Sequence, residues 1–372
     1  MKKNLFRFFL ALCLLTGCGG STAAPAETAA PDMAVTGSMV LRYAEQFSVD
    51  YYSDGSALVT VAGADRFLVV PGDWDGTADC PVLRQPVEHI YLAASSAPDL
   101  FVQLDALDSV RFTSTALNNW GLPEVRAAME SEDLLYAGKY SAPDFELLLS
   151  ENCPLAVEST MIYHSPDIRE KLESLGIPVL VERSSYEPHP LGRVEWIKLY
   201  GLLLGKEAEA EAFFDAQVQL LDTLDTLPAG ERTAAFFHIS TAGAAVVRKP
   251  GDYVSKMIEL AGGKYVFDTL PGAEDNALST MNMQMEAFYA GAKDVDLLIY
   301  NSTIDGELDT VEQLLQKSAL LGDFKAVQSG NVWCTEHDMF QKSSAAAGII
   351  ADFNAILSGT AEDQLTFFHR LT

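Results

Sequence analysis

The cysteine that ends Leu15-Thr16-Gly17-Cys18 is the first residue of the chain placed for a chemistry of its own, and that chemistry is acylation of its thiol. Lys2, Lys3 and Arg7 supply a basic start, and Phe8–Leu15 a short apolar run, which is the layout of a cleaved export signal. The run falls short of the roughly 20 apolar residues that cross a bilayer. Residues 1–17 therefore read as a lipoprotein signal peptide and Cys18 as the lipidated mature N-terminus. Two acyl chains at about 0.8 kcal/mol per buried CH₂ anchor a protein stably without a transmembrane helix. The expected location is extracytoplasmic, on the cell surface or in a periplasm, with the membrane reached through Cys18.

The other reactive side chains are not arranged for catalysis. Cys80, Cys153 and Cys334 lack CxxC or CxxxC spacing, so they form no metal or redox motif. In an exported chain a Cys80–Cys153 disulfide and buried free thiols both remain open. His89, His164, His189, His238, His337 and His369 make no HxH or HExxH pattern, whereas a bare-metal site needs several convergent ligands. His164 and His238 stay open as single axial ligands to an iron or cobalt centre. There is no GxSxG, no Walker A lysine loop and no recognisable carboxylate pair. The expectation is a protein that is not an enzyme and carries neither an intrinsic cofactor nor a resident metal.

Composition narrows the partners. Lysine and arginine total 25 against 52 aspartates and glutamates, a net charge of -27, which argues against nucleic acid. Hydrophobic residues make up 48%, too many for a disordered chain, so the acidity belongs to the solvated surface of a folded one.

The elements that position these side chains show in the apolar pattern. Gly19 to Pro31 is rich in small residues and proline, and residues 18–38 are expected to be a flexible tether. From 39 to 205, short apolar runs alternate with turns and helical spacing, the rhythm of an α/β lobe. Strands are expected at Ser56–Val61, Arg66–Val70, His89–Ala93, Ser109–Phe112, Leu155–Glu158 and Pro178–Val181, with a helix over Pro166–Leu175 stopped by Gly176. A second α/β lobe over 227–372 has strands at Thr233–Phe237 and Val295–Tyr300, a helix over Asp252–Ala261 and another over Ser343–Leu357.

Between the lobes, residues 206–226 place Ala208, Ala212, Phe213, Ala216, Leu220 and Leu224 on one stripe. At 1.5 Å per residue, one helix of this length reaches about 30 Å, enough to run from lobe to lobe. The expected fold class is α/β, two sandwich lobes joined by a single long helix.

The residues of Leu135-Tyr-Ala-Gly138-Lys-Tyr-Ser141-Ala-Pro143-Asp144-Phe-Glu146, then Leu155-Ala-Val-Glu158, resemble a family: the solute-binding lipoproteins of ABC importers for iron-siderophores, haem and cobalamin. The resemblance extends from about Met39 to Leu357 and includes Met285-Glu286 before Asp294-Val-Asp296-Leu-Leu-Ile299, Ile258-Glu-Leu-Ala-Gly262-Gly263 and Ala326-Val-Gln-Ser-Gly330-Asn-Val-Trp333. Asp144-Phe145 and Asn152-Cys153-Pro154 depart from the usual pattern, so the ligand's identity carries over poorly. The resemblance implies a class III periplasmic-binding-protein fold with a ligand in the interlobe cleft and no catalysis. It implies as partners an ABC permease dimer with its ATPase subunits, and as ligand a metal chelate, a ferric siderophore first and cobalamin or haem as the alternative. A surface-anchored enzyme or adhesin is the alternative of another class.

Glu146 and Glu286 match the family's lobe-tip acids, which implies that they dock onto permease arginines; a helix-capping role is also open to Glu146. Loops leaving strand ends line clefts of this kind, which nominates Trp120, Met161, Tyr163, His164, Tyr186, Phe237, His238, Tyr253, Asn301, Met339 and Phe340 as ligand-binding residues. Arg193 joins them because cations are scarce here and suit an anionic chelate, although it can instead neutralise Glu195. Arg248 reads better as a partner of Asp252.

Overall fold

Pro190–Leu204 reads Pro-Leu-Gly-Arg-Val-Glu-Trp-Ile-Lys-Leu-Tyr-Gly-Leu-Leu-Leu, apolar around most of its circumference, and such a helix is stable only inside a protein. In the computed structural model, which describes residues 34–224, 231–270 and 280–372, every residue of this helix is buried. The expected signal peptide, Cys18, the expected tether up to residue 33 and the expected break at Leu227–Gly230 lie outside the described residues.

The chain first forms an antiparallel sheet of β1 (Val35–Ser38), β2 (Phe47–Tyr52), β3 (Ala57–Val61), β4 (Asp65–Val70) and β5 (Val82–Arg84), in that spatial order, with β4 and β5 parallel. Burial alternates along β3, so one face covers the central helix, and Phe47 meets Trp196 edge-on at 5.0 Å. The expected tether is thus shorter than residues 18–38. Val35–Ser38 is a strand because its backbone pairs with Asp50–Tyr52 and Ser38 Oγ donates to the Asp50 carboxylate at 2.5 Å.

The first α/β lobe continues with β6 (Ile90–Leu92), α1 (Pro98–Gln103), β7 (Val110–Thr113), α2 (Pro123–Glu130), β8 (Leu135–Tyr136), a hairpin of β9 (Gly138–Lys139) and β10 (Ala142–Pro143), α3 (Phe145–Ser150), β11 (Ala156–Ser159), α4 (Pro166–Ser174) and β12 (Val179–Glu182). Its sheet runs β12-β11-β6-β7-β8 and is parallel throughout. All of β12 is buried, as a strand covered on both faces must be. One face joins the main core; the other packs a smaller core around Tyr91, Phe112, Leu148, Ile162 and Val179. Glu158, within β11, is fully buried, and among the described residues neither of its carboxylate oxygens has a hydrogen-bond partner.

The central helix, α5 (Pro190–Leu204), and α6 (Glu207–Leu224) lead to the second lobe. Residues 207–224 form the expected connecting helix, and it does not stand alone. Gly205 takes φ +68 as the C-cap of α5, and α6 then runs back along α5. A Cβ on Gly201 would lie 2.6 Å from the Ala210 Cβ, so glycine is what lets the two helices approach.

The second lobe comprises β13 (Thr233–Ile239), β14 (Ala245–Arg248), α7 (Tyr253–Leu260), β15 (Lys264–Tyr265), β16 (Thr280–Met283), α8 (Met285–Ala292), β17 (Leu297–Tyr300), α9 (Val311–Lys317), α10 (Lys325–Gln328), β18 (Val332–Thr335), α11 (Ala346–Ser358) and β19 (Phe368–Arg370). Its sheet runs β16-β14-β13-β17-β18-β19, with β15 beside the start of β13 and a parallel centre of β13, β17 and β18. The main core is continuous from Phe47 through α5 to Phe368, and both α5 and α6 pack on α11.

Polar side chains on α5 hold the first sheet in place. Buried Glu195 accepts the N–H groups of Arg42, Tyr43 and Ala44 at 2.8 to 3.0 Å and pairs with Lys198 at 3.1 Å. Glu187, just before α5, accepts from the N–H groups of Glu45 and Gln46 and from Trp196 Nε1. Five consecutive backbone donors are satisfied by two carboxylates, which ties the segment leading into β2 to the start of α5.

Candidate functional site

The parallel strands of both lobes end in loops, the position where α/β sheets take ligands. At the β11 exit, Ser159 Oγ accepts the Met161 N–H at 3.4 Å and starts a short 3-10 turn over Thr160–His164. Met161 is 47% exposed and Tyr163 46%, and His164 is exposed beside them. Arg183, at the β12 exit, donates from Nη1 to Tyr163 Oη at 3.1 Å and lies 4.5 Å over the Tyr186 ring. Its Nε donates to Gln46 Oε1 at 3.0 Å. The structure thus brings Tyr163 and Tyr186 together through an arginine that sequence reasoning passed over. The signal was available: Arg183 is a scarce cation at a strand exit between two nominated tyrosines.

Arg193 is 7% exposed, and its guanidinium stacks 4.0 Å over the ring of Tyr253. It does not neutralise Glu195, whose partners are Lys198 and three backbone N–H groups. The Arg193 Nε is buried with no hydrogen-bond partner among the described residues. Tyr253 opens α7, whose cap Asp252 accepts the Val254 N–H at 2.9 Å. Burial pushes the Asp252 carboxyl above its usual range, while Arg248 at 3.7 Å pulls it down. Arg248 in turn lies 4.6 Å over Phe340 and 5.6 Å over both Phe236 and Tyr253. Arg193, Tyr253, Met339 and Phe340 share a void of about 10 Å³, room for about one water.

The remaining nominated residues divide by burial. Phe237 is a core ring, 4.7 Å from Phe288 and 5.8 Å from Tyr300, so the strand-exit argument placed it wrongly: β13 is buried on both faces here. Trp120 is buried too, its Nε1 donating to Thr115 O at 3.1 Å. Asn301 is buried and shapes the loop after β17 by accepting from Thr303 N–H and Oγ1. His238 is half-buried, and burial with help from Arg248 holds its imidazole below the ordinary histidine range. Ile304, which sequence reasoning did not nominate, is 69% exposed near the same loop.

Glu146 and Glu286 are both exposed, and each is the second residue of its helix, α3 or α8, where the dipole favours a carboxylate. Asp144, not Glu146, is the cap of α3; its Oδ1 accepts the Leu147 N–H at 3.0 Å. Gly138 takes φ +83 in the preceding hairpin, where a Cβ would lie 2.6 Å from Ala142 O. Buried Leu148 and Phe288 seat the two helices.

Among the described residues no group of three or more histidines, cysteines, aspartates or glutamates is placed to hold a metal, and no helix is long and apolar enough to cross a membrane. Cys80, Cys153 and Cys334 are free thiols, so the disulfide left open by the sequence is not formed. Burial raises the Cys153 thiol to about 11.

Residues 106–338 match the periplasmic binding protein family. A lipoprotein of Methanocaldococcus jannaschii is 24% identical over 354 residues, spanning 89% of this chain and 87% of that one. Among solved structures, the periplasmic haem-binding protein HutB of Vibrio cholerae is similar with a TM-score of 0.56 and 18% identity, over 70% of this chain and 96% of that one. An Fe³⁺-hydroxamate transport protein of Saccharomonospora viridis gives 0.55 and 18%, over 74% and 94%. The vitamin B12-binding protein BtuF of Vibrio cholerae gives 0.52 and 14%, over 74% and 98%. The fold is shared with all three, two α/β lobes joined by a helix, and on the match over well more than half of its length this chain belongs to the periplasmic binding protein family.

Proposed function

We propose that this protein is a lipid-anchored extracytoplasmic receptor that captures an anionic metal chelate, a ferric siderophore, between its lobes and presents it to an ABC permease. Its family is one of binding proteins rather than enzymes, and the relative from Methanocaldococcus jannaschii is named a lipoprotein, in keeping with acylation at Cys18. The observation that carries the ligand class is Arg193: a buried cation stacked on Tyr253 with its Nε unpaired. A buried donor of this kind is costly unless an acceptor reaches it. The void beside it has room for about one water, so a hydroxamate, catecholate or carboxylate oxygen takes that place only when the wall of Met339 and Phe340 moves aside. Arg183 between Tyr163 and Tyr186 offers a second cation with aromatic walls.

Haem is the second reading, favoured by Tyr163 and His164, adjacent exposed side chains of the kinds that ligate haem iron. Cobalamin has no comparable feature in its support beyond the likeness to BtuF. Tryptophan-fluorescence titration of the purified protein with a ferric trihydroxamate, a ferric tricatecholate, haem and cobalamin tests the assignment. The expected result is saturable quenching by a ferric siderophore, weakened about 10- to 100-fold in Arg193→Ala. Quenching by haem alone would transfer the assignment to the second reading, and siderophore binding indifferent to Arg193 would remove its basis.

A further inference from the structure

We infer that the segment Asp338–Ser344 of the second lobe is a clamp that fixes the separation of the lobes, with Gln341 as its positioning residue. The Gln341 side-chain amide is joined to first-lobe backbone at both ends: Oε1 accepts the Gly121 N–H at 2.8 Å and Nε2 donates to Asn119 O at 2.8 Å. A side-chain amide here replaces a strand partner, holding the backbone on both sides of buried Trp120. Further along, Ser343 Oγ donates to Ser96 O at 2.6 Å, and the Ser344 N–H donates to Asp99 Oδ2 at 2.7 Å. Three of these four bonds end on first-lobe main chain, which has little freedom to follow a sliding partner.

Shape reinforces the bonds. A Cβ on Gly121 would lie 2.1 Å from the Asp338 Cβ, so the lobes meet here at a distance only glycine permits. The segment is itself braced by the Asp338–Lys342 ion pair at 2.8 Å and by the Gln341 N–H bond to Asp338 O at 2.8 Å. It also carries Met339 and Phe340, which line the void beside Arg193 and Tyr253. One heptapeptide therefore joins the lobes and forms part of the candidate ligand wall. Its bearing on ligand retention rests on the receptor reading above; the clamp itself does not.

Hydrogen–deuterium exchange of the full chain without ligand tests this. A clamp that opens as a unit couples amides that share no direct partner, those of Gly121 and Ser344. Gln341→Ala should raise exchange by about tenfold at Ser344 as well as at Gly121, and Asp99→Ala should do the reverse, raising exchange at Gly121. Amides of β11 and β13 should keep their protection in both variants. Ser343→Ala provides the same reciprocal reading if Asp99→Ala does not fold. Exchange that rises only at the amide whose own acceptor was removed would overturn the inference, as would unchanged exchange at both. None of these outcomes depends on which ligand, if any, the cleft takes.

Discussion

The guanidinium of Arg193 on α5 lies 4.0 Å over the ring of Tyr253 on α7, so a single stacked pair spans from the central helix to the second lobe. Arg193→Lys keeps the charge but loses the planar face and the forked donors. Binding of an anionic chelate should weaken about tenfold in this variant, whereas Tyr253→Phe, which keeps the ring, should leave it within a factor of about two. Titration of both variants beside the native protein checks this.

Glu146 and Glu286 occupy equivalent second positions of α3 and α8, one on each lobe. If they meet permease arginines, reversing both charges replaces attraction with repulsion at the docking surface. The double variant Glu146→Arg, Glu286→Arg should abolish uptake in cells while the purified protein binds its ligand as before. Normal uptake by that variant would remove the docking role.

Glu195 is fully buried and serves Arg42, Tyr43, Ala44 and Lys198 together. Glu195→Ala leaves three N–H groups without their acceptor, while Lys198 keeps Glu211 at 2.9 Å and Val40 O at 3.0 Å; a buried donor left unsatisfied costs about 1 to 3 kcal/mol. Urea unfolding should show that drop, and protection of the Arg42–Ala44 amides should fall with it. A loss of under about 1 kcal/mol, the size of a surface pair, would show that the first sheet is held by its apolar face alone.

Burial raises the Glu158 carboxyl to about 8. The folded protein then holds a proton that the unfolded chain releases near the ordinary glutamate range, so stability is complete below that range and falls as the pH climbs through about 8. Glu158→Gln, neutral at every pH, should flatten this decline and make the protein more stable than the native form at pH about 9. Thermal melts from acid to alkaline pH provide the test; parallel curves for the two proteins would contradict it.

How much of this was legible in the sequence depended on how local its cause was. β3, β4, β11, β12 and β17 showed as apolar runs between turns, and α6 and α7 as stripes of helical spacing. β1 and β2 did not: they hold each other by backbone pairing, and the loop between them is held by Glu195 and Glu187, carboxylates more than 140 residues away. Family motifs nominated Glu146 and Glu286, and the structure places each as the exposed second residue of a helix. Phe237 was misplaced because a strand buried on both faces gives the same pattern whether or not its end meets a cleft. Arg183 was in view, a scarce cation between two nominated tyrosines, whereas Gln341 acquires its role only where distant loops meet, across 220 residues.

Native mass spectrometry of the full-length protein, offered an equimolar mixture of a ferric trihydroxamate, a ferric tricatecholate, haem and cobalamin, is the most direct test of the receptor assignment. A single adduct with the mass of a ferric siderophore, lost in Arg193→Ala, is the expected spectrum. A spectrum with no adduct from any of the four, from protein that melts cooperatively, would contradict it.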